Sequence, residues 1–581
     1  MSTAPQVNIP GCGIVKGVEA ENQPVVAKFL NIPYATVPER WRPAVKAGPW
    51  NGVRDATIQG PVCHQPLSEN PLVSMTSDPV DENDEEAYSK VYNEEHCLNL
   101  NVFAPKDQAQ NGSKTSQPSI PVMVWIHGGG FKDGSNAMAL YDASNMVAHS
   151  VQGIGRPVIV VTINYRLNYF GFLSSTELVQ DVQSDKRLDA NSHERSVGNW
   201  GLLDQKLALE WVRDHISAFG GNPKDVTVFG ESAGAASVGY HIAIKEHHGL
   251  FQRAILQSGA ATTMIAGRPE MEGQRYFDHL CGHFGLNTAD LTGAQKLERL
   301  RKIPAKDLVK AADKGKVGMF IPTIDNVLIQ GDARQWVHDP SRYDSGLKAV
   351  MLGDCRDEGR MFVSTLGAKS MKRWPRFVAR HCPPGLEKEF AAIYGSPKTD
   401  AEAASISALI LSDSVFLYPI HATSLTLMQM AHKTGAETQL EMARFHFDHP
   451  LQIVEDMELG LGAHHAAELP FVFGSDTYQD LFTEREKALC LRVMETWILF
   501  AWGEASRLYG LKHGVSSLLP SDVGVGGQRK EAVVFTEECT VEKKLVERLD
   551  ARTLEFWRQS EQWQKTRREE QWNQRQRSSK L

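Results

Sequence analysis

Short runs of consecutive apolar residues alternate along this chain with longer stretches in which apolar positions recur every three or four residues. Ile120 to Ile126, Val158 to Ile163, Val226 to Phe229, Ala254 to Leu256 and Ala349 to Leu352 carry few polar side chains, the pattern of strands buried on both faces. Asp204 to Trp211 and Lys487 to Ala501 follow helical spacing between or beyond them. Such alternation predicts a mainly parallel sheet covered by helices. Charged residues at helical spacing from Asn287 to Lys316 predict helices added to that core, and the polar stretches 106–119, 178–197 and 512–531 predict surface loops or insertions. No internal repeat interrupts the pattern.

Composition adds limits. At 581 residues, 42% hydrophobic and 23% charged, the chain can build a large core. Length alone suggests about four domains, but the motifs described below span residues 127 to 465 and have to meet. One domain over residues 1–558, with insertions, followed by a polar tail over 559–581, is the simpler organisation. Lys and Arg number 62 against 70 Asp and Glu, a net charge of −8, which argues against nucleic acid as a partner. No run of apolar residues approaches the roughly 20 needed to span a bilayer, and the first residues lack the basic cluster and apolar stretch of a secretory signal. The expectation is a soluble, intracellular protein with no membrane span. Without a signal, the sequon at Asn111 is not expected to be glycosylated. Eight cysteines include no C-x-x-C and no zinc-finger spacing, so neither a structural metal nor a cofactor is expected, and most are read as buried free thiols. The chain ends in Ser579-Lys580-Leu581, the tripeptide read by the peroxisomal import receptor. That receptor is the expected partner, and the peroxisome the expected compartment, with the cytoplasm as alternative. From Gln559 the tail holds too few apolar residues to pack firmly.

Chemistry concentrates at VTVFGESAGAASVG, residues 226 to 239. A strand followed by a helix would place Ser232 on the sharp turn between them, a nucleophile elbow in which neighbours as small as Gly230 and Gly234 are needed. The helix after the turn aims free amides at any anion formed there. Upstream, VMVWIHGGGF at 122 to 131 runs a strand into His127 and three glycines, a loop suited to donating backbone N–H groups to an oxyanion. A dinucleotide loop is excluded because Asp133 stands where G-x-G-x-x-G requires glycine.

These segments, with NYRLNYFGFL at 164 to 173 and NWGLLDQKLALEWVRDHISAFGGNPKDVTVFGESAGAASVG at 199 to 239, resemble the type-B carboxylesterase family, which includes the cholinesterases. The resemblance runs from Gly11 to Trp557 and implies an α/β-hydrolase fold and a serine ester hydrolase. It implies Ser232 as nucleophile and, in GDCRDEG at 353 to 359, Glu358 as the acid, with Asp357 and Asp354 as minor candidates. It maps the histidine in GAHHAAELPFVFG at 462 to 474 to His465, leaving His464 to packing or solvent. Backbone donors for the oxyanion map to Gly129, Gly130 and Ala233.

The sequence departs from the family at Cys355, where asparagine is usual, so that loop is expected to be held differently. Cys63 and Cys97 match cysteines that close a loop in secreted relatives, a bond a reducing compartment disfavours. Tyr88, within the acidic run 78 to 88, stands where cholinesterases carry a cation-cradling tryptophan, which argues for an uncharged ester as substrate. Arg40 and Glu95 fall at positions of a structural ion pair. Two other activities suit the same residues: acyl transfer or thioester cleavage through the acyl-serine, and a non-catalytic binding module of the kind found among relatives.

Overall fold

The computed structural model describes residues 4–68, 72, 85–111, 120–189, 192–314, 320–435, 440–457, 459–504, 531–545 and 549–578. Its largest sheet holds eleven strands among these residues: β1 (Val18–Ala20), β2 (Gln23–Pro33), β3 (Asn99–Pro105), β4 (Ile120–Ile126), β5 (Ile159–Ile163), β6 (Gly221–Glu231), β7 (Arg253–Gln257), β8 (Ala349–Cys355), β9 (Glu441–Phe447), β10 (Glu531–Phe535) and β11 (Val541–Leu545). They lie in the order β11-β10-β9-β8-β7-β6-β4-β5-β3-β2-β1. From β5 through β10 every pairing is parallel, and antiparallel strands flank the two sides. This is the mainly parallel, helix-covered sheet expected from the alternation of elements, and it agrees with the α/β-hydrolase fold that the resemblance implies.

The five strands read from the sequence all form, and two extend well past the apolar run: β6 starts five residues earlier, at Gly221, and β8 continues to Cys355. Both faces are covered, so β3, β4, β5, β7 and β8 are buried at every position. Helices α1 (Trp200–His215) and α3 (Glu484–Ala501) contain the two helical patterns read from sequence, and α2 (Ala233–Ala243) follows β6 directly. Helices at Gly293–Arg301 and Ala305–Lys314 fill the segment read as added helices.

Two expectations need correction. Residues 178–197 are not all loop, because Thr176–Ser184 is a helix capped by the Ser175 side chain. Leu178 and Val182, four apart, bury one narrow stripe of an otherwise polar helix. Residues 106–111 are also helical, and 112–119 and 512–530 lie outside the described residues. The polar stretch from Gln559 continues α4 (Ala551–Ser578), which docks through polar bonds: Arg334 donates to Glu561 Oε1 at 2.7 Å and to Gln564 Oε1 at 2.9 Å. The helical run Asp400–Thr434 is by length and composition apolar enough to cross a membrane, but 56% of its apolar window is buried in the body. Its Leu411, Val415 and Phe416 line an internal cleft, as a core helix would.

One buried ion pair ties the strands to α1. Arg166, just beyond β5, donates from Nε to Asp204 Oδ2 at 2.7 Å and from Nη2 to Oδ1 at 2.8 Å, and its own amide reaches Oδ2 at 3.1 Å. Both side chains are almost wholly shielded. Asp204→Asn leaves a buried guanidinium uncompensated and is expected to cost about 3–5 kcal/mol of stability. Urea denaturation checks this; a loss below about 1 kcal/mol would mean that water reaches the site.

Candidate active site

The parallel strands deliver their C-terminal ends to one edge, where open α/β sheets hold ligands. Ser232 follows β6 there, and its amide still donates to Gln257 O at 2.9 Å as if the strand continued. Its own backbone then breaks away at φ 56°, ψ −119° to begin α2, a conformation costly for any residue with a Cβ. Packing enforces it. A Cβ on Gly234 would sit 2.0 Å from Ile126 O, so only glycine lets α2 start against the end of β4. A Cβ on Gly128 would come within 3.2 Å of the Ser232 Cβ, which places the glycine loop against the serine.

That loop turns through left-handed backbone at Gly129 (φ 102°) and Gly130 (φ 61°). The amides of Gly129, Gly130 and Ala233 donate to no acceptor among the described residues, and Ala233 opens α2, where the helix dipole adds positive potential. His127 anchors the loop from behind: its ring stacks on Tyr165 at 4.4 Å, and the Tyr165 hydroxyl donates to His127 O at 2.8 Å. Burial lowers its pKa to about 4, so His127 is a neutral scaffold group.

Glu358 and His465, far apart in the chain, meet because their loops pair. Asp357 and His464 form an isolated parallel bridge, and the Asp357 amide donates to Ala463 O at 2.8 Å. The neighbouring side chains are then directed together, with His465 Nδ1 2.6 Å from Glu358 Oε2. The Cys355 amide donates to the other oxygen, Oε1, at 2.7 Å and fixes the carboxylate. Glu358 is fully buried and His465 nearly so. Asp354 instead binds His446 and Arg444, and Asp357 binds Arg356 and Arg360, so neither touches His465. His464 is buried, with Nδ1 2.7 Å from His465 O.

The other imidazole nitrogen reveals a residue the sequence reading passed over. His465 Nε2 lies 2.9 Å from Glu231 Oε1, but the pair lacks hydrogen-bond alignment, so the contact is one of charge. Ser232 makes no hydrogen bond to the imidazole in this arrangement. Burial opposes the imidazolium, but Glu231 and Glu358 outweigh it and hold the pKa well above the usual value. Glu231 stands beside the serine within the elbow motif itself, so strand geometry at the end of β6 was the signal for it.

Behind this group sits a third carboxyl, Glu468, fully buried. Burial first, and then Glu231, raise its pKa to about 7. Gln257 donates to its Oε1 at 2.9 Å, and the Cys355 thiol to its Oε2 at 3.2 Å. Cys355 thus holds its loop through a thiol bond to Glu468 as well as through its amide.

One further expectation is revised. Arg40 pairs with both oxygens of Glu94, at 2.7 and 2.6 Å, and not with Glu95, which is largely exposed. Asn93 Oδ1 takes the amides of Glu95 and His96, and this turn sends Glu94 inward and Glu95 out. Cys63 and Cys97 are free, buried thiols. Tyr88 packs with its hydroxyl 3.2 Å from His64 Nδ1 and is absent from the walls of the serine's cleft.

Ser232 opens onto a narrow cleft walled by Thr263, Met264, Phe362, Leu366, Leu411, Val415 and Phe416, with no charged side chain among them. The rings of Phe416 and Phe362 lie 4.6 and 5.1 Å from that of His465 and shield it from water.

Residues 3–507 match the model of the carboxylesterase family. The chain is 32% identical over 513 residues to para-nitrobenzyl esterase of Bacillus subtilis (strain 168), covering 84% of this chain and 88% of that protein. It is 30% identical over 546 residues to carboxylesterase 1D of Rattus norvegicus, covering 88% and 87%. Among solved structures, a PNB esterase superposes with a TM-score of 0.66 at 29% identity, covering 93% of this chain and 98% of that one.

Proposed function

Because the chain belongs to the carboxylesterase family and is a carboxylic ester hydrolase, we propose that it cleaves small uncharged esters through an acyl-serine formed on Ser232. His465 takes the serine proton, Glu358 sets the tautomer of the imidazole and stabilises its cation, and the Gly129, Gly130 and Ala233 amides receive the oxyanion. The observation that carries this reading is the 2.6 Å bond from His465 Nδ1 to a buried Glu358, beside a serine on a strained turn. The apolar walls of the cleft argue for an uncharged acyl and alcohol group.

In the cycle, Ser232 Oγ bonds to the ester carbonyl carbon as His465 Nε2 takes its proton. The tetrahedral intermediate collapses, the alkoxide leaves with that proton as the alcohol, and the acyl group remains on Oγ. Water, deprotonated by the same nitrogen, then releases the acid and restores the serine. Productive turnover requires Nε2 to face Oγ, so the imidazole must exchange its contact with Glu231 for one with the serine. Rapid mixing with a p-nitrophenyl ester should give a burst of one nitrophenol per chain, then a slower steady rate. Added alcohols, amines and thiols separate hydrolysis from acyl transfer by product ratio. A rate with no burst and no acylated protein would overturn the covalent route.

A pH effect follows from Glu231. The base works only when neutral, so turnover falls as pH drops through the His465 pKa, and a raised pKa moves that fall to higher pH. Glu231→Gln removes the largest influence raising it, and the acid limb of kcat/KM should shift to lower pH. An unmoved or upward-shifted limb would mean that Glu231 does not act on the imidazole.

We further propose, from the residues alone, delivery to the peroxisome through Ser579-Lys580-Leu581, which lie outside the described residues. A fluorescent protein fused ahead of the full chain should become punctate with peroxisomal markers and turn diffuse when the three residues are deleted. Puncta that survive the deletion would contradict the assignment.

A further inference from the structure

A second cleft lies between α4 and the body. It is distinct from the serine's: Thr263 and Met264 line the first, whereas Ala266, Gly267 and Arg268, farther along the same segment, line the second. Four cationic side chains border it, Arg268 and Arg334 from the body and Lys565 and Arg568 from α4. Arg334 is engaged by Glu561 and Gln564 on the same helix. The other three are not paired with carboxylates: the Arg268 guanidinium lies over the Trp572 ring at 5.1 Å, and Lys565 and Arg568 have no acceptor among the described residues.

The acids at the border do not fill that gap. Glu272 accepts the Arg268 amide at 2.9 Å, and Asp332 caps the helix Ala333–Val337 through the Gln335 amide at 2.9 Å. Glu569 is exposed. Burial and the facing Arg334 guanidinium both depress the Arg568 pKa, while Glu272 and Asp332 oppose them, so an anion in the cleft would relieve a standing like-charge repulsion. Two helical donors one turn apart and an arginine from the opposite wall surround a multi-oxygen dianion better than a single planar carboxylate.

We propose that the cleft between α4 and the 266–272 and 332–334 segments binds the phosphate group of a phosphate-bearing small molecule, held by Arg568, Lys565 and Arg268. The bound anion adds a link between α4 and the body beside those of Arg334 with Glu561 and Gln564 and of Arg268 over Trp572. The site is separate from ester cleavage and does not depend on the roles assigned to Ser232, His465 and Glu358.

Calorimetric titration of the full chain with inorganic pyrophosphate, at fixed ionic strength so that general screening stays constant, tests this. The expected result is saturable binding of one pyrophosphate per chain, weakened about tenfold or more by Arg568→Gln and by Lys565→Gln, and restored by Lys565→Arg. Each variant's cooperative thermal melt reports folding; if Arg568→Gln does not fold, the lysine pair decides the matter. Absence of saturable heat, or equal affinity in the folded Lys565→Gln variant, would overturn the site. Equal affinity for citrate would overturn the phosphate assignment.

Discussion

Ser232→Ala is expected to lower ester turnover by about 10⁶-fold, the scale of removing a serine nucleophile that works as a unit with its base. The loss comes from chemistry rather than folding. Alanine keeps the Cβ that already tolerates φ 56° at this turn, and the amide bond to Gln257 O is untouched. The cleft walls and the Glu358–His465 pair also remain. The expectation is therefore a melting temperature close to that of the native chain, substrate binding retained, and turnover reduced to what the amide donors alone supply. Steady-state kinetics with a p-nitrophenyl ester, beside a thermal melt, checks it. A folded variant retaining more than about 1% of activity would mean that another group attacks the ester.

The second large effect belongs to Glu358→Gln. The substitution keeps the side chain's size, so packing in this fully buried position changes little, but it removes the charge facing His465 Nδ1. Glutamine can present its amide nitrogen to that ring, which favours the wrong tautomer and leaves the forming imidazolium without its partner. Loss of such an orienting carboxylate costs about 10⁴-fold in kcat. Because Glu358 also helps to raise the His465 pKa, the residual activity should persist to lower pH than in the native chain. Glu358→Asp, which keeps the charge on a shorter arm, should recover part of the rate. A loss under tenfold for glutamine would show that Glu231, on the other side of the ring, can do the orienting alone.

Much of this was legible in the residues because the chemistry depends on local sequence. The turn at Ser232 needs small neighbours, and they are written as Gly230 and Gly234; the amide loop needs close backbone approach, and it is written as Gly128 to Gly130. Parallel strands buried on both faces leave continuous apolar runs, so the centre of the sheet was readable, whereas the mixed burial of the flanking strand β2 gives a weaker pattern. The helix 176–184 hid because one apolar pair suffices to dock it, and the continuation of α4 past Gln559 hid because polar bonds from Arg334 to Glu561 and Gln564, not an apolar stripe, dock it. Glu231 stands next to Ser232 in the elbow motif, but the weight of Glu231 and Glu468 comes from sharing a dry volume with Glu358 and His465, a property of packing that spacing alone does not encode. The shift from Glu95 to Glu94 has the same origin, an asparagine turn that decides which of two adjacent acids points inward.

The account rests on Ser232 being the atom that becomes acylated. The direct measurement is mass spectrometry of the folded full chain after reaction with a fluorophosphonate or a slowly released p-nitrophenyl ester, with the modified peptide sequenced. The account predicts a single adduct on Ser232, lost in Ser232→Ala and formed far more slowly in His465→Ala. A folded chain that takes no adduct, or takes it on another residue while still cleaving the ester, would contradict it.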